Sequence, residues 1–371
     1  MKIAIIYDWI NKFGGAERIL LALHEIWPSA PLYTAVYNKE KTSWARIFKV
    51  NPSIINRIAI LRDKNELLPL ITPYIFESFN LNNFDVVFSV TSADAKSIFV
   101  KPSTLHICYC LTPTRYIWSG YNDYLNEPGV GSLNFFAKFF IKFFSHSLRS
   151  WDYISSSRPD FYIAISETVR SRISVYYKKE SKVVYPPVDT DKFVPSSNSL
   201  SDFYLVVSRL VPYKRLDHVI FAFNILGSKL KIIGNGIDKK RLVKIAKKNI
   251  EFIDSNLTDE KLCWYYQNCR ALIFPGEEDF GLAAAEAQAC GKPVIGYKNG
   301  GVSEIVINRK TGELYEEANT EALLSVLKKF RPENYLTSIC RENSKRFAKS
   351  IFQKNIKKLV KNYWDRWNKK I

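Results

Sequence analysis

The chain has 371 residues, 47% of them hydrophobic and 14% aromatic, and its 54 Lys and Arg against 36 Asp and Glu give a formal net charge of +18. That length exceeds one ordinary core and predicts two domains, while that apolar content excludes a disordered chain. The charge calls for an anionic partner, whether nucleotide, nucleic acid or acidic membrane surface, and does not choose among them.

In chain order, MKIAIIYDW opens with an apolar run too short for a signal peptide, and no stretch approaches the length of a membrane span, so a cytoplasmic protein is expected. Residues 2–7 predict a strand. A loop with Gly14 and Gly15 follows, then a helix with apolar residues at Ile19, Leu20, Leu23 and Ile26. Further strands are predicted at 85–90, 105–109 and 161–165, and Ser166 is a predicted helix cap. Cys108 and Cys110 alternate on one of these strands and are expected on opposite faces; with Cys263, Cys269, Cys290 and Cys340, which lack metal-ligand spacing, they read as small buried thiols. Residues 133–151 repeat Phe-Phe every four residues, at 135/136, 139/140 and 143/144, flanked by Lys138, Lys142 and Arg149. On a helix this makes one wide apolar face. It reads either as a core-packed helix or as one lying in the interface of an anionic membrane.

The prolines and serines of 185–202 read as a linker. Alternation then restarts, with strands predicted at FYLVVS, LKIIG, IEFI, ALIFP and PVIGY and helices between them, one of them over 213–223. Alternating strands and helices imply parallel sheets covered on both faces, here an α/β chain of two Rossmann-like domains facing across a cleft, 1–184 and 203–350. A last amphipathic helix over 351–371, with Ile356, Val360 and Trp364 in step, is expected to return to the first domain.

Three stretches could carry chemistry. In VVSRLVPYKRLD, Arg209 leaves a strand end and Lys214 begins the following helix; two cations there suit a phosphate, against the alternative of a solvated basic turn. In IIGNG, Gly234 and Gly236 allow close backbone approach, although turn chemistry alone also explains them. In EEDFGLAAAE, Glu278 falls in a loop and Glu286 inside an alanine-rich helix. An acid at the start of a helix can simply be a favourable charge. A carboxylate packed among alanines needs a partner or a ligand hydroxyl, and two such acceptors suit sugar or ribose diols.

With these residues in place, the chain resembles the retaining glycosyltransferases of the GT-B fold, family 4 (GT4). The resemblance rests on FGGAER, YPPVDTDKF, Arg209 with Lys214, Glu278 with Glu286, and AEAQACGKPVIGYKNGGVSEIV, and covers nearly the whole chain. YKRxD is similar to mannosyltransferase-like enzymes of bacterial surface polysaccharide assembly. The resemblance implies an acceptor-side first domain and a nucleotide-sugar donor domain second. It implies that Arg209 and Lys214 bind the donor diphosphate and stabilise the leaving group without a metal. Glu286 would hold the ribose hydroxyls and Glu278 the donor sugar, with Phe280, Gly281 and Leu282 offering backbone amides and Gly14 and Gly15 approaching the donor phosphate or acceptor. The base contact is expected partly at the backbone around Ile253 and Asp254. Thr112 and Arg115 are cleft or acceptor candidates. The family commonly has a histidine before Thr-Pro; here that residue is Leu111, and His106 upstream reads as structural. The expected reaction moves a hexose, mannose from GDP-mannose, to a lipid-linked or oligosaccharide acceptor, with a UDP-sugar as the near alternative and no metal or other cofactor. A nucleic-acid binder lacks a recognisable motif, a Rossmann dehydrogenase lacks G-x-G-x-x-G after the first strand, and an inactive homologue is kept open by Leu111.

Overall fold

The structure is a computed structural model and describes residues 1–63, 71–128, 134–196 and 202–369. Leu133 and residues 197–201, parts of the aromatic stretch and of the expected linker, lie outside the described residues. The chain divides into two compact units. The first comprises Met1–Asn126, Lys138–Pro187 and Phe352–Ile371; the second comprises Glu127–Ala137 and Val188–Ile351.

The first unit is built on a parallel sheet of β1 (Ile3–Ile10), β2 (Leu32–Tyr37), β3 (Val50–Pro52), β4 (Val86–Thr91), β5 (Leu105–Cys110), β6 (Phe161–Ala164) and β7 (Ser181–Val183) in the order β3-β2-β1-β4-β5-β6-β7. β4 and β5 are buried along their whole length, as strands with helices on both faces must be. The second unit repeats the plan with β8 (Tyr204–Val207), β9 (Leu230–Ile233), β10 (Ile250–Ile253), β11 (Leu272–Phe274), β12 (Val294–Tyr297) and β13 (Gly312–Tyr315), again all parallel, in the order β10-β9-β8-β11-β12-β13. In each sheet the chain starts in the middle, builds outward one way, then returns to build the other way. The switch points are β1/β4 and β8/β11, where open α/β sheets leave a crevice at their carboxyl ends.

The helices start where the capping chemistry puts them. Ser166 accepts the Val169 amide at 3.0 Å, and Thr258 and Asn319 cap two helices of the second unit in the same way. The last helix, Lys349–Asn368, belongs to the first unit from Phe352 on. It buries Phe352, Ile356, Val360 and Tyr363, at helical spacing, and stacks Tyr363 on Phe161 with ring centroids 4.0 Å apart. Trp364, expected in that stripe, is only half-buried; Tyr363 takes the inward position.

Two further expectations change. Cys108 and Cys110 share a face of β5, since residues two apart on a strand point the same way. The Phe-Phe repeat is not core. On the helix Asn134–Ser155 the buried stripe is Ile141, Ser145, Leu148, Asp152 and Ser155, while Phe135, Phe136, Phe139, Phe143 and Phe144 are exposed, Phe135 by 76%. At about 100° per residue Phe135, Phe136, Phe139 and Phe143 stand on the side away from the buried stripe, and Phe144 stands at its edge.

Candidate functional site

The carboxyl edge of the second sheet gathers most of the residues singled out from the sequence. Arg209 lies just past β8. The chain then makes a tight 3-10 turn over Pro212–Lys214, and the helix Leu216–Leu226 begins three residues later than the sequence predicts. Arg215 causes the delay: it sits at φ 52°, a left-handed conformation unfavourable for a residue with a Cβ. Lys214 is thereby turned inward ahead of the helix rather than standing on its first turn. Its Nζ is ion-paired with Oε1 of Glu278, with the lysine side chain 7% exposed and the glutamate 28%. The Arg209 guanidinium donates to the Tyr213 hydroxyl at 2.5 Å, and Lys214 Nζ lies 5.1 Å from the Tyr213 ring centroid. Tyr213 therefore ties the two cations together through a hydrogen bond and a cation–π contact.

Glu278 is fixed by its backbone as well. Its carbonyl accepts the Gly301 amide at 2.7 Å. A Cβ on Gly300 would stand 2.6 Å from that oxygen, and one on Gly301 would stand 2.3 Å from Phe280 Cα. The Asn-Gly-Gly turn after β12 is thus shaped to let the Glu278–Phe280 loop lie against it. Phe280 is buried and packs its ring on Phe347, Gly281 precedes the helix Leu282–Ala289, and Leu282 is its first residue. The first amides of that helix have no carbonyl inside it to bond. Glu286 is buried one turn in, among Ala284, Ala285, Ala287 and Ala289, and the Tyr266 hydroxyl donates to its Oε2 at 2.9 Å. Gly234 donates its amide to the Ile253 carbonyl at 3.1 Å, and a Cβ there would be 2.0 Å from the Ser208 carbonyl oxygen. That close approach ties together the ends of β8, β9 and β10.

Gly14, Gly15, Thr112 and Arg115 belong to the first unit. Gly14 precedes the helix Gly15–Ile26, where buried Glu17 accepts the Tyr7 hydroxyl at 2.6 Å and burial pushes its carboxyl up. Thr112 is buried, and its hydroxyl has no hydrogen-bond partner among the described residues. Arg115 is half-exposed; its carbonyl accepts the Gly120 amide at 2.9 Å. Leu111 follows β5 and donates its amide to Thr91. His106 is fully buried with Nε2 2.9 Å from Ser89 Oγ, and burial pulls its pKa down to about 3, so the ring is neutral.

Sequence reasoning passed over a buried charged network in the first unit. Asp8 of β1 accepts from Thr91 Oγ1 at 2.8 Å and from the amides of Ser92 and Ala95 at 2.7 and 2.9 Å. Asp152 accepts from Lys96 Nζ at 2.6 Å, Thr114 Oγ1 at 2.7 Å, Trp118 Nε1 at 2.6 Å and Tyr177 OH at 2.8 Å. Asp94 feels the charge of both, and burial pushes its carboxyl up to about 7 although Lys96 opposes the shift. The available signal was an acid and a lysine in TSADAKS directly after an apolar strand. Tyr213, Tyr266 and the Gly300–Gly301 pair were also missed as positioning residues, because a tyrosine hydroxyl's partner is set by tertiary packing.

Two doubly wound parallel sheets, one with cations and carboxylates converging at its switch point, define a GT-B protein. Residues 188–347 match the family model described as glycosyl transferases group 1. That stretch, 160 of the 371 residues, is similar to the glycosyltransferases of that family. It is 30% identical over 202 residues to an uncharacterized glycosyltransferase of Methanocaldococcus jannaschii, covering 53% of this chain and 57% of that one. It is 26% identical over 194 residues to a GDP-mannose-dependent alpha-(1-6)-phosphatidylinositol monomannoside mannosyltransferase of Mycolicibacterium smegmatis, covering 44% of this chain and 50% of the relative. These matches thus span about half the length of the curated relatives. The crystal structure of HepE from Anabaena in complex with UDP shares the fold over 98% of this chain and all of that one, with a TM-score of 0.70 at 15% identity.

Proposed function

We propose that the chain transfers a hexose, mannose from GDP-mannose, to a lipid-linked or oligosaccharide acceptor in surface polysaccharide assembly, with retention at the anomeric carbon. The observation that carries this reading is the Lys214–Glu278 ion pair beside Arg209 at the β8/β11 switch point. Arg209 and Lys214 hold the donor diphosphate. As the bond from the anomeric carbon to the phosphate oxygen breaks, negative charge grows on the departing diphosphate, and two fixed cations favour that state over the ground state. Glu278, turned toward the same point by Lys214 and the Gly301 amide, accepts hydrogen bonds from sugar hydroxyls. Glu286 accepts from the ribose diol while Tyr266 holds its other side, which offsets the cost of burying its charge. Gly234 and Ile253 line the base side, Phe280, Gly281 and Leu282 offer amides, and Gly14, Gly15, Thr112 and Arg115 serve donor approach and acceptor. No metal is needed, because lysine and arginine supply the positive charge.

The mannose assignment draws on the GDP-mannose dependence of the Mycolicibacterium smegmatis relative; the UDP complex of the Anabaena protein supports a UDP-sugar as the second reading. The test is transfer from GDP-mannose and from UDP-glucose, UDP-galactose and UDP-N-acetylglucosamine to lipid-linked oligosaccharide in EDTA, with the product anomer read by NMR. Transfer from GDP-mannose with retention is expected. Transfer from a UDP-sugar alone replaces the donor, and inversion refutes the mechanism.

The acceptor side of the reading includes an anionic membrane surface. The exposed phenylalanines of Asn134–Ser155, with exposed Lys138 and Lys142 beside them, suit a helix lying in the lipid headgroup layer. Among the described residues no helix is long and apolar enough to cross a membrane. Cosedimentation with phosphatidylglycerol vesicles that is unchanged by Phe139→Glu with Phe143→Glu would remove this part.

A further inference from the structure

All six cysteines are buried and unbridged. Four of them lie in the second unit, and two of those face each other across a helix pair: Cys263 on the helix Asp259–Asn268 and Cys290 at the end of Leu282–Ala289, with Sγ atoms 3.7 Å apart. The same two helices carry Tyr266 and Glu286. Cys263 keeps a small exposed edge, 7% of its surface, while Cys290 is 1% exposed. The pair is polarised. Either sulfur can donate across this contact, and Cys263 also donates to the Lys192 carbonyl at 3.5 Å; the contact with Cys290 and the Val194 backbone draw the Cys263 thiol down to about 6 against the opposing effect of burial, and the same contact and burial push Cys290 up. Two sulfurs 3.7 Å apart, one with an exposed edge and drawn toward the thiolate and the other fully covered, are the arrangement of an attacking and a resolving sulfur. Cys269 and Cys340 are pushed up to about 12 by burial and remain thiols.

We infer that Cys263 and Cys290 form a peroxide-oxidisable dithiol that closes to a disulfide linking the Tyr266 helix to the Glu286 helix. Cys263 thiolate attacks the O–O bond of hydrogen peroxide, forming a sulfenic acid and releasing hydroxide. Cys290 then attacks the sulfenic sulfur, forming the S–S bond, and its proton leaves with the displaced hydroxyl as water. The two thiols lose two electrons in all, and peroxide becomes two waters. Closing from 3.7 Å to about 2.05 Å would tie together the two helices that also hold the Tyr266–Glu286 hydrogen bond. The consequence for ligand rests on the donor-site reading above: the oxidised protein binds nucleotide several-fold more weakly.

The test treats the reduced full chain with hydrogen peroxide and maps it by mass spectrometry without reduction. The expected product is one cross-linked peptide pair, Cys263 with Cys290, lighter than the sum of its parts by about 2 Da and reversed by dithiothreitol. In Cys290→Ser, a dimedone adduct on Cys263 is expected in place of the link. Six intact thiols, a link between other cysteines, or no adduct on Cys263 in Cys290→Ser overturns the inference. This mapping is independent of nucleotide binding, so a failed donor reading leaves it standing. A Cys263–Cys290 link with unaltered nucleotide affinity, in a protein that does bind nucleotide when reduced, refutes the coupling to Glu286.

Discussion

The two units repeat one topology, yet they treat charge at the switch point in opposite ways. In the first, Asp8 and Asp152 are saturated by the protein itself: Asp152 alone accepts four hydrogen bonds, from a lysine, a threonine, a tryptophan and a tyrosine. In the second, the Lys214–Glu278 pair is shielded on the lysine side and open on the glutamate side, with Arg209 exposed beside it. A saturated network holds loops in place; a pair left open on one side has capacity for a ligand. Charge at a strand end is therefore not by itself a sign of a site, and the exposure of the acid separates the two cases: Asp152 is 3% exposed and Glu278 28%.

The contrast can be broken by mutation, and the largest effect falls in the second unit. Lys214→Ala should lower sugar transfer about 100-fold or more, as removal of a group that stabilises developing charge does, while leaving the melting temperature within a few degrees of wild type. A variant that kept its rate would place the chemistry elsewhere. Asp152→Ala should do the reverse, since it leaves buried Lys96 without its carboxylate: stability should fall by roughly 3–5 kcal/mol, read by urea unfolding. Glu286→Gln should weaken nucleotide binding about tenfold, the scale of a lost charge-assisted hydrogen bond, by calorimetry. Tyr266→Phe should cost less, because the carboxylate survives.

The smallest effect concerns pH. Asp94 binds its proton more tightly in the folded chain, at about 7, than at its ordinary value of 3.8. The folded state therefore holds the extra proton between those values. The stability Asp94 contributes is complete below about 4 and is lost as pH rises through about 7, with a slope of at most about 1.4 kcal/mol per pH unit. Asp94 faces Lys96, Asp8, Asp152 and Thr72. Asp94→Asn removes the proton exchange and should flatten the fall of melting temperature between pH 5 and 8. An unchanged profile would assign that slope to Asp8 or to another group.

Much of this was legible in the sequence, and the gaps have physical causes. The buried strands β1, β4 and β5 stand out because a run covered on both faces is apolar throughout. β3, β7 and β13 were missed: each has three or four residues, and VNP, SKV and GELY lack a period to read. β2 has six residues but sits between a proline-bounded turn and a polar loop. Arg209, Lys214, Glu278 and Glu286 stood out as candidates because charge at strand ends and a carboxylate among alanines are both visible in one dimension. The direct Lys214–Glu278 contact was not, because 64 residues separate the two and only the β8/β11 pairing brings their loops together. The Phe-Phe repeat shows the opposite limit. Its periodicity marked a helix face, but the residues that bury the helix are Ile141, Ser145, Leu148, Asp152 and Ser155, two of them serines and one an aspartate, which no hydrophobic pattern selects.

The most direct measurement is the thermal stability of the protein in EDTA with GDP, GDP-mannose, UDP and the UDP-sugars, for wild type and Arg209→Ala. The account predicts metal-independent stabilisation by guanine nucleotides that Arg209→Ala largely abolishes. No shift with any nucleotide, or a shift that Arg209→Ala leaves intact, would contradict it.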